Sequence, residues 1–169
     1  MTKALSTIAG AIGAALALLP PRLDSLQARI IVTAITLQED PRQERVQRLN
    51  GGGRGAARGL WQFEQGGVNG VLGHAATKAM AGAVCLARQV QPVVPAVWAA
   101  METDDVLAAA FARLLVFTDS KPLPQIGDEE GAWQLYLRTW RPGAAKRQYD
   151  ELRAKWAGNY TAAIAASQP

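Results

Sequence analysis

The sequence contains one cysteine and one histidine among its 169 residues. The lone cysteine, Cys85, cannot form a disulfide within the chain, and the apolar run AVCLA around it predicts a small buried side chain. The lone histidine, His74, gives little support to a His-based catalytic triad or to a multi-histidine metal site. We therefore predict no metal ion and no cofactor.

Strand-like alternation of apolar and polar residues is also nearly absent, whereas helical spacing recurs along the chain. Apolar residues make up 49% of the sequence and charged residues 19%, which is typical of a globular protein. We predict a single, mainly α domain over residues 1–169, with at most a short hairpin between Arg42 and Phe63. The segment RQERVQRL within that range is predicted as a polar helical turn, and Thr103 as the N-cap of a helix over TDDVLAAAFARLLVF.

The apolar stretch from Ala4 to Leu19 is shorter than the roughly 20 residues that span a bilayer. No convincing cleavage site follows it, so we expect cytoplasmic synthesis without a clear cleaved signal peptide. We favour an apolar helix and turn over residues 1–24 that pack on the domain. A cleaved signal, or membrane contact through residues 4–19, stays open as an alternative.

The formal net charge is +4, which favours an anionic partner such as nucleic acid, a cell-wall polymer or a membrane surface. Five arginines fall between Pro41 and Arg58, and they form either a solvated face or a basic rim beside a cleft. A nucleic-acid-binding protein is one hypothesis, but acidic residues elsewhere offset the charge and no nucleic-acid motif is present. The five are Arg42, Arg45, Arg48, Arg54 and Arg58.

The second predicted helix starts after Asp24, its predicted N-cap, and runs from about Ser25 to Leu37 or Asp40. Apolar residues occupy nearly its whole circumference, which predicts a central buried helix. Glu39 lies at its C-terminal end. A carboxyl delivered from a buried helix end into a cleft is partly desolvated, so its pKa rises toward the range of a general acid. The alternative is an ordinary exposed glutamate.

The helix ARIIVTAITLQED is followed, twenty residues after Glu39, by the Gly59 of GAARGLWQ. This combination resembles the soluble lytic transglycosylases and goose-type lysozymes, which carry a catalytic glutamate at a helix end and a Gly-Leu-Met-Gln stretch downstream. Two positions differ, because Asp40 stands where the family has serine and Trp61 where it has methionine. The family's Tyr-Asn-Ala-Gly motif is absent, and Tyr136 is our candidate for its tyrosine.

The resemblance implies a helical, lysozyme-like domain with a saccharide cleft and a peptidoglycan glycan strand as partner. It also implies cleavage of the β-1,4 bond between N-acetylmuramic acid and N-acetylglucosamine, with Glu39 as the catalytic acid. In a lytic transglycosylase the same glutamate then acts as base toward the muramyl 6-hydroxyl and gives an anhydro product. Hydrolysis by two carboxylates would need a second one at a set distance.

Each residue of the predicted site has a chemical rationale in this setting. Gly59 lets the backbone approach a sugar, Leu60 anchors the loop, and Trp61 is either a face for a pyranose or a plug behind the acid. Gln62 can bond an N-acetyl group or Glu39. The other candidates are Glu64 and Tyr136 as substrate-binding residues and His74 as a possible cleft residue, for which a structural role is favoured.

The combined runs RGLWQFEQGG, FTDSKPLP and YLRTWRPG also resemble uncharacterised lysozyme-like proteins encoded by tailed phages. This resemblance implies a product that acts in the phage virion or in the host periplasm. It leaves open a second hypothesis, a virion structural or interaction module whose lysozyme-like fold has lost activity. In that case other virion proteins would be its partners.

Overall fold

The computed structural model describes residues 3–49, 51–141 and 146–167. This part of the chain is mainly helical, as predicted, with one short antiparallel sheet; the predicted loop after Trp140 lies largely outside it. The helices are α1 (Lys3–Ala17), α2 (Leu26–Glu39), α3 (Gln65–Gly73), α4 (Lys78–Ala87), α5 (Val94–Ala100), α6 (Asp105–Phe117), α7 (Glu129–Trp140) and α8 (Lys146–Ser167). The strands are β1 (Val46–Arg48) and β2 (Arg54–Arg58), and a 3-10 turn covers Pro21–Leu23.

Helix α2 lies at the centre of the domain, as its apolar sequence predicts. Every residue from Ile30 to Thr36 is buried, because α1, α6 and α8 all pack against it. The hydroxyls of Thr33 and Thr36 are buried as well. A helix covered on all sides has its end fixed in space, and the last residue of this helix is Glu39.

Helix α1 packs on the domain mainly against α6, and it buries Ile8, Ile12 and Leu16 in the common core. This packing agrees with the interpretation favoured for the N-terminal apolar stretch. In the described ranges, no single helix has the length and apolarity to cross a membrane; only α3 and α4 taken together meet that test, and they are bent by 112°.

Two of the predicted helix caps are wrong by one residue. The N-cap of α2 is Ser25, whose hydroxyl accepts the backbone N–H of Ala28 at 3.1 Å. Asp24 pairs with Arg29 instead. The N-cap of α6 is Asp104, which accepts the N–H of Leu107 at 2.9 Å. In each pair of adjacent polar residues, the one that precedes the first helical turn directly is the one whose oxygen reaches the free N–H groups.

The predicted helical turn over RQERVQRL is also wrong, because this segment turns into β1 of the hairpin. The buried carboxylate of Asp40 accepts the backbone N–H groups of Glu44 at 2.9 Å and Arg45 at 2.7 Å. Gln43 and Arg45 both adopt positive φ angles, 56° and 58°. These bonds satisfy N–H groups that a helix would use, so the chain reverses after α2.

A four-residue turn, Gly59–Gln62, connects β2 to the start of α3. Arg58 and Phe63 close it by exchanging two backbone hydrogen bonds, 3.0 and 2.8 Å long. Gly59 has a φ of 73°, and a Cβ at this position would lie 2.6 Å from the carbonyl oxygen of Met101. Only glycine meets both constraints.

We predict that Asp40→Ala lowers the free energy of unfolding by about 2 kcal/mol, because two part-buried backbone hydrogen bonds lose their charged acceptor. Urea denaturation followed by circular dichroism measures this change. Asp40→Asn is the matched control, since its single amide oxygen can still accept one N–H, and its loss should be smaller. Equal stability of wild type and Asp40→Ala would contradict the role of Asp40 in the turn.

Candidate functional site

The carboxyl of Glu39 faces an open cavity of about 530 Å³. The hairpin, the turn that follows it, the first residues of α3 and the C-terminal end of α7 form the walls. The lining residues are Glu39, Gln47, Ala57, Gln62, Phe63, Glu64, Gly66, Gly67, Leu115, Thr139, Trp140 and Arg141. The structure therefore places Glu39 at the same cavity as Gln62 and Glu64, although Glu39 is far from these two residues along the chain.

Three influences set the protonation of Glu39. Burial raises the pKa of its carboxyl from 4.5 to about 7, and this effect is the largest. The hydroxyl of Tyr136 donates a hydrogen bond to Oε1 at 2.6 Å, which stabilises the carboxylate and lowers the pKa. The negative charge of Glu64 raises it again. A carboxyl with a pKa near 7 can both give and accept a proton at neutral pH.

Tyr136 is held in place by aromatic packing. Its buried ring stacks on Trp133, with centroids 5.4 Å apart, and on Trp156 at 4.9 Å, and these two tryptophans also contact each other at 5.9 Å. Burial and the adjacent charge of Glu39 raise the pKa of the Tyr136 hydroxyl. This hydroxyl therefore keeps its proton and remains a hydrogen-bond donor to Glu39.

The middle of the Gly59–Gln62 turn lies beneath the cavity. Leu60 and Trp61 are fully buried, and neither lines the cavity. The indole N–H of Trp61 donates to the carbonyl of Val32 at 2.8 Å, and the hydroxyl of Thr36 donates to the carbonyl of Leu60 at 2.7 Å. The Trp61 ring has no free face for a sugar, because it is fully buried.

Gln62 is the residue of the turn whose side chain reaches the cavity. It has a φ of 48°, and its amide N–H donates to the carbonyl of Gly59 at 2.9 Å. Among the described residues nothing donates to its amide oxygen, which leaves that oxygen for a ligand. Glu64 is exposed beside it, at the N-cap of α3.

Asp40 does not belong to this cavity, although it is next to Glu39 in sequence. Its two carboxylate oxygens both bond to the backbone of the following turn, and it does not line the cavity. Asp40 therefore shapes the chain after α2, whereas Glu64 is the acid whose charge raises the pKa of Glu39.

Trp140 is a cavity residue that the sequence interpretation did not single out. It is half-buried at the end of α7, its indole N–H donates to the carbonyl of Trp61 at 3.1 Å, and its ring meets Phe63 edge-on at 5.6 Å. The available signal was its spacing, since a residue four positions after Tyr136 lies on the same face of a helix.

Two further cavities adjoin the first one: the second, of about 300 Å³, lies between α3 and α7, and the third, of about 390 Å³, lies between α7 and the residues that follow α6. The first and second share Trp140 and two glycines of α3, and Thr139 and Arg141 line all three. His74 lines the second; it is exposed, and its Nδ1 accepts the N–H of Ala76 at 3.2 Å. Together the three cavities form a groove, which we call the α3–α7 groove.

The described part of the chain holds no group of three or more histidine, cysteine, aspartate or glutamate side chains placed to bind a metal ion. The side chains that line the groove include the carboxyls of Glu39 and Glu64, the amide of Gln62, the indole of Trp140, the imidazole of His74 and the guanidinium of Arg141.

We predict that Glu39→Gln makes stability less dependent on pH. A carboxyl whose pKa is raised by folding stabilises the protein at low pH, and this contribution is lost as pH rises from 4.5 through about 7. Relative to Glu39→Gln, wild type should lose roughly 3 kcal/mol of unfolding free energy across that window. Urea denaturation at a series of pH values measures it, and a constant difference between the two proteins would contradict the raised pKa.

Comparisons of the chain with models of protein families, with curated proteins and with solved structures find no match. A functional conclusion therefore depends on the geometry of the chain. The chemically active part of that geometry is a glutamate with a pKa of about 7, bonded to a buried tyrosine at one end of a groove.

Proposed function

We propose that this chain cleaves the β-1,4 bond between N-acetylmuramic acid and N-acetylglucosamine in peptidoglycan, with Glu39 as the general acid and base. The observation that carries the proposal is the state of Glu39. A single carboxyl with a pKa of about 7 faces an open groove and accepts a 2.6 Å hydrogen bond from Tyr136. This is the state that a proton donor to a glycosidic oxygen needs near neutral pH.

The proposed reaction needs one carboxyl. Protonated Glu39 gives its proton to the glycosidic oxygen, and the bond from C1 of the muramyl residue to that oxygen breaks. The muramyl 6-hydroxyl oxygen then bonds to C1 and returns its proton to the carboxylate of Glu39, which restores the acid. The product is a 1,6-anhydro sugar. Tyr136 stabilises the carboxylate between the two steps through its hydrogen bond.

The role of Glu64 decides between this route and hydrolysis. Glu64 lines the same cavity as Glu39, whereas both oxygens of Asp40 are occupied by backbone N–H groups. We favour an electrostatic role, because the charge of Glu64 raises the pKa of Glu39. Activation of water by Glu64 would give a hydrolysed product instead, which is heavier than the anhydro sugar by one water molecule.

Substrate contacts in this proposal come from Gln62 and Trp140. The amide oxygen of Gln62 accepts the N–H of an N-acetyl group, and the indole of Trp140 supports the apolar face of a pyranose ring. The α3–α7 groove would accommodate further sugars of the strand. We also propose a lysozyme-like fold and a tailed-phage origin, with action in the virion or the host periplasm.

The nucleic-acid hypothesis gains no support from the geometry. All five arginines of the basic segment pair with carboxylates, and three carboxylates offset three of the five positive charges. The pairs are Arg42 and Arg48 with Glu44, Arg45 with Asp105, and Arg54 and Arg58 with Glu102. The hypothesis of an inactive virion module predicts the same fold without cleavage, so an activity measurement separates it from our proposal.

We predict that the chain clears permeabilised Gram-negative cells and that its kcat/KM falls as pH rises above about 7, because the reaction needs protonated Glu39. Turbidity and mass spectrometry of the released fragments measure rate and product. Glu64→Gln should move the fall in rate to lower pH, since it removes a charge that raises the pKa of Glu39. Tyr136→Phe should move it to higher pH, because the lost hydrogen bond stabilised the carboxylate.

The controls for this experiment are Glu39→Gln, which should abolish clearing, and Glu151→Gln. Glu151 is exposed on α8 and lines no part of the groove, so its substitution should leave the rate unchanged. Equal clearing by wild type and Glu39→Gln would contradict the catalytic role. No cleavage by wild type at any pH would favour the inactive virion module.

We predict that Trp140→Ala raises KM about tenfold with a smaller effect on kcat, because a pyranose loses its aromatic support. Trp98→Ala is the matched control. Trp98 is also half-buried and also donates to a backbone carbonyl, that of Ala56 at 2.9 Å, but it does not line the groove. Steady-state kinetics on soluble glycan strands measure both variants. The same KM for both would remove Trp140 from the substrate contacts.

A further inference from the structure

Arg141 is the charged residue around which the three cavities of the α3–α7 groove meet, since it lines all of them. From its position and lack of an acidic partner, we infer that Arg141 binds a carboxylate carried by the glycan strand, so the groove selects acidic strands over neutral ones. The inference rests on the proposed function and deepens it. The substrate class becomes a β-1,4 strand with carboxylate-bearing peptide side groups.

The electrostatic surroundings distinguish Arg141 from its neighbour Arg138. Arg138 forms an ion pair with Asp119, with the guanidinium and carboxylate atoms 2.7 Å apart. Arg141 is exposed, and its Nε donates to the carbonyl of Arg138 at 3.3 Å. Across residues 3–49, 51–141 and 146–167, no carboxylate pairs with Arg141. Its two terminal nitrogens therefore remain for an outside acceptor, and a guanidinium binds a carboxylate through two parallel hydrogen bonds.

The backbone of Arg141 also favours a specific role for this residue. It ends α7 in the left-handed conformation, with φ 46° and ψ 56°, and its N–H donates to the carbonyl of Leu137. Glycine is the usual residue at such a helix end, and an L-residue there costs about 1 kcal/mol. A side chain retained at this cost, and placed at the junction of three cavities, is more readily explained by ligand contact than by packing.

The opposite wall of the groove leaves space for a substituted strand. Gly66 and Gly70 of α3 line the second cavity, and a Cβ added to either would meet no atom within 4 Å. Packing therefore does not require glycine at these positions, although glycine inside a helix costs roughly 1 kcal/mol relative to alanine. Larger side chains would project into the groove and narrow it opposite Arg141.

Peptidoglycan and chitin share the β-1,4 N-acetylhexosamine backbone, but only peptidoglycan carries peptides with free carboxylates. This difference provides the test. In the full chain with Glu39→Gln, which prevents turnover, isothermal titration calorimetry gives the Kd for a peptide-bearing muramyl tetrasaccharide and for neutral chitotetraose. Arg141→Gln should weaken binding of the acidic strand about tenfold and leave chitotetraose little changed. Arg141→Lys should lie between the two, since a lysine keeps the charge without the paired donors.

Arg22→Gln serves as the matched control, because Arg22 is exposed and lines none of the three cavities. It should leave both Kd values unchanged. An equal loss for the acidic and neutral strands on Arg141→Gln, or no loss for either, would overturn the carboxylate contact and leave the proposed function standing. Failure of the parent Glu39→Gln protein to bind either strand would overturn both.

Discussion

The indole N–H of Trp61 donates to the carbonyl of Val32 in α2, and the carbonyl of Trp61 accepts the indole N–H of Trp140 in α7. This one buried residue therefore ties the helix that ends in Glu39 to the helix that carries Tyr136. Because Trp61 is fully buried, water does not compete for its bond to Val32. The same two helices also meet where the hydroxyl of Tyr136 donates to Glu39 at 2.6 Å, across nearly a hundred residues of sequence.

The protonation of Glu39 is a balance between solvation and two neighbours. Burial at the end of α2 disfavours the carboxylate, Tyr136 stabilises it, and Glu64 opposes it. Neither neighbour alone would place the pKa near 7, because burial is the largest of the three effects. The surrounding helices keep this costly arrangement in place, since α2 is covered by α1, α6 and α8 and has little freedom to expose its end to water. Destabilising groups held in this way are typical of functional sites.

The sequence predicts those features of the chain that depend on local periodicity. The apolar circumference of α2 and the position of Glu39 at its end are visible in the order of residues, whereas a short hairpin was predicted only as the most strand that the chain would contain. The strand β1 was not predicted, because the reversal before it depends on the buried carboxylate of Asp40. The different positions of Trp61, which is buried, and Trp140, which lines the cavity, could not be predicted for a similar reason. Which indole is covered and which lines the groove is decided by how α7 packs on the turn, a contact between distant segments.

The stretch GLWQ and the end of α7 contribute different things to the candidate site. The stretch GLWQ, on which the resemblance rests, contributes mostly support: Gly59 permits the close approach to Met101, and Leu60 and Trp61 are buried. The end of α7 contributes most of the exposed chemistry, because successive turns present Tyr136 to Glu39 and then Trp140 and Arg141 to the groove. In the proposed function, one helix thus aligns the acid, the sugar ring and the charged side group of the strand. A displacement of α7 would affect all three together.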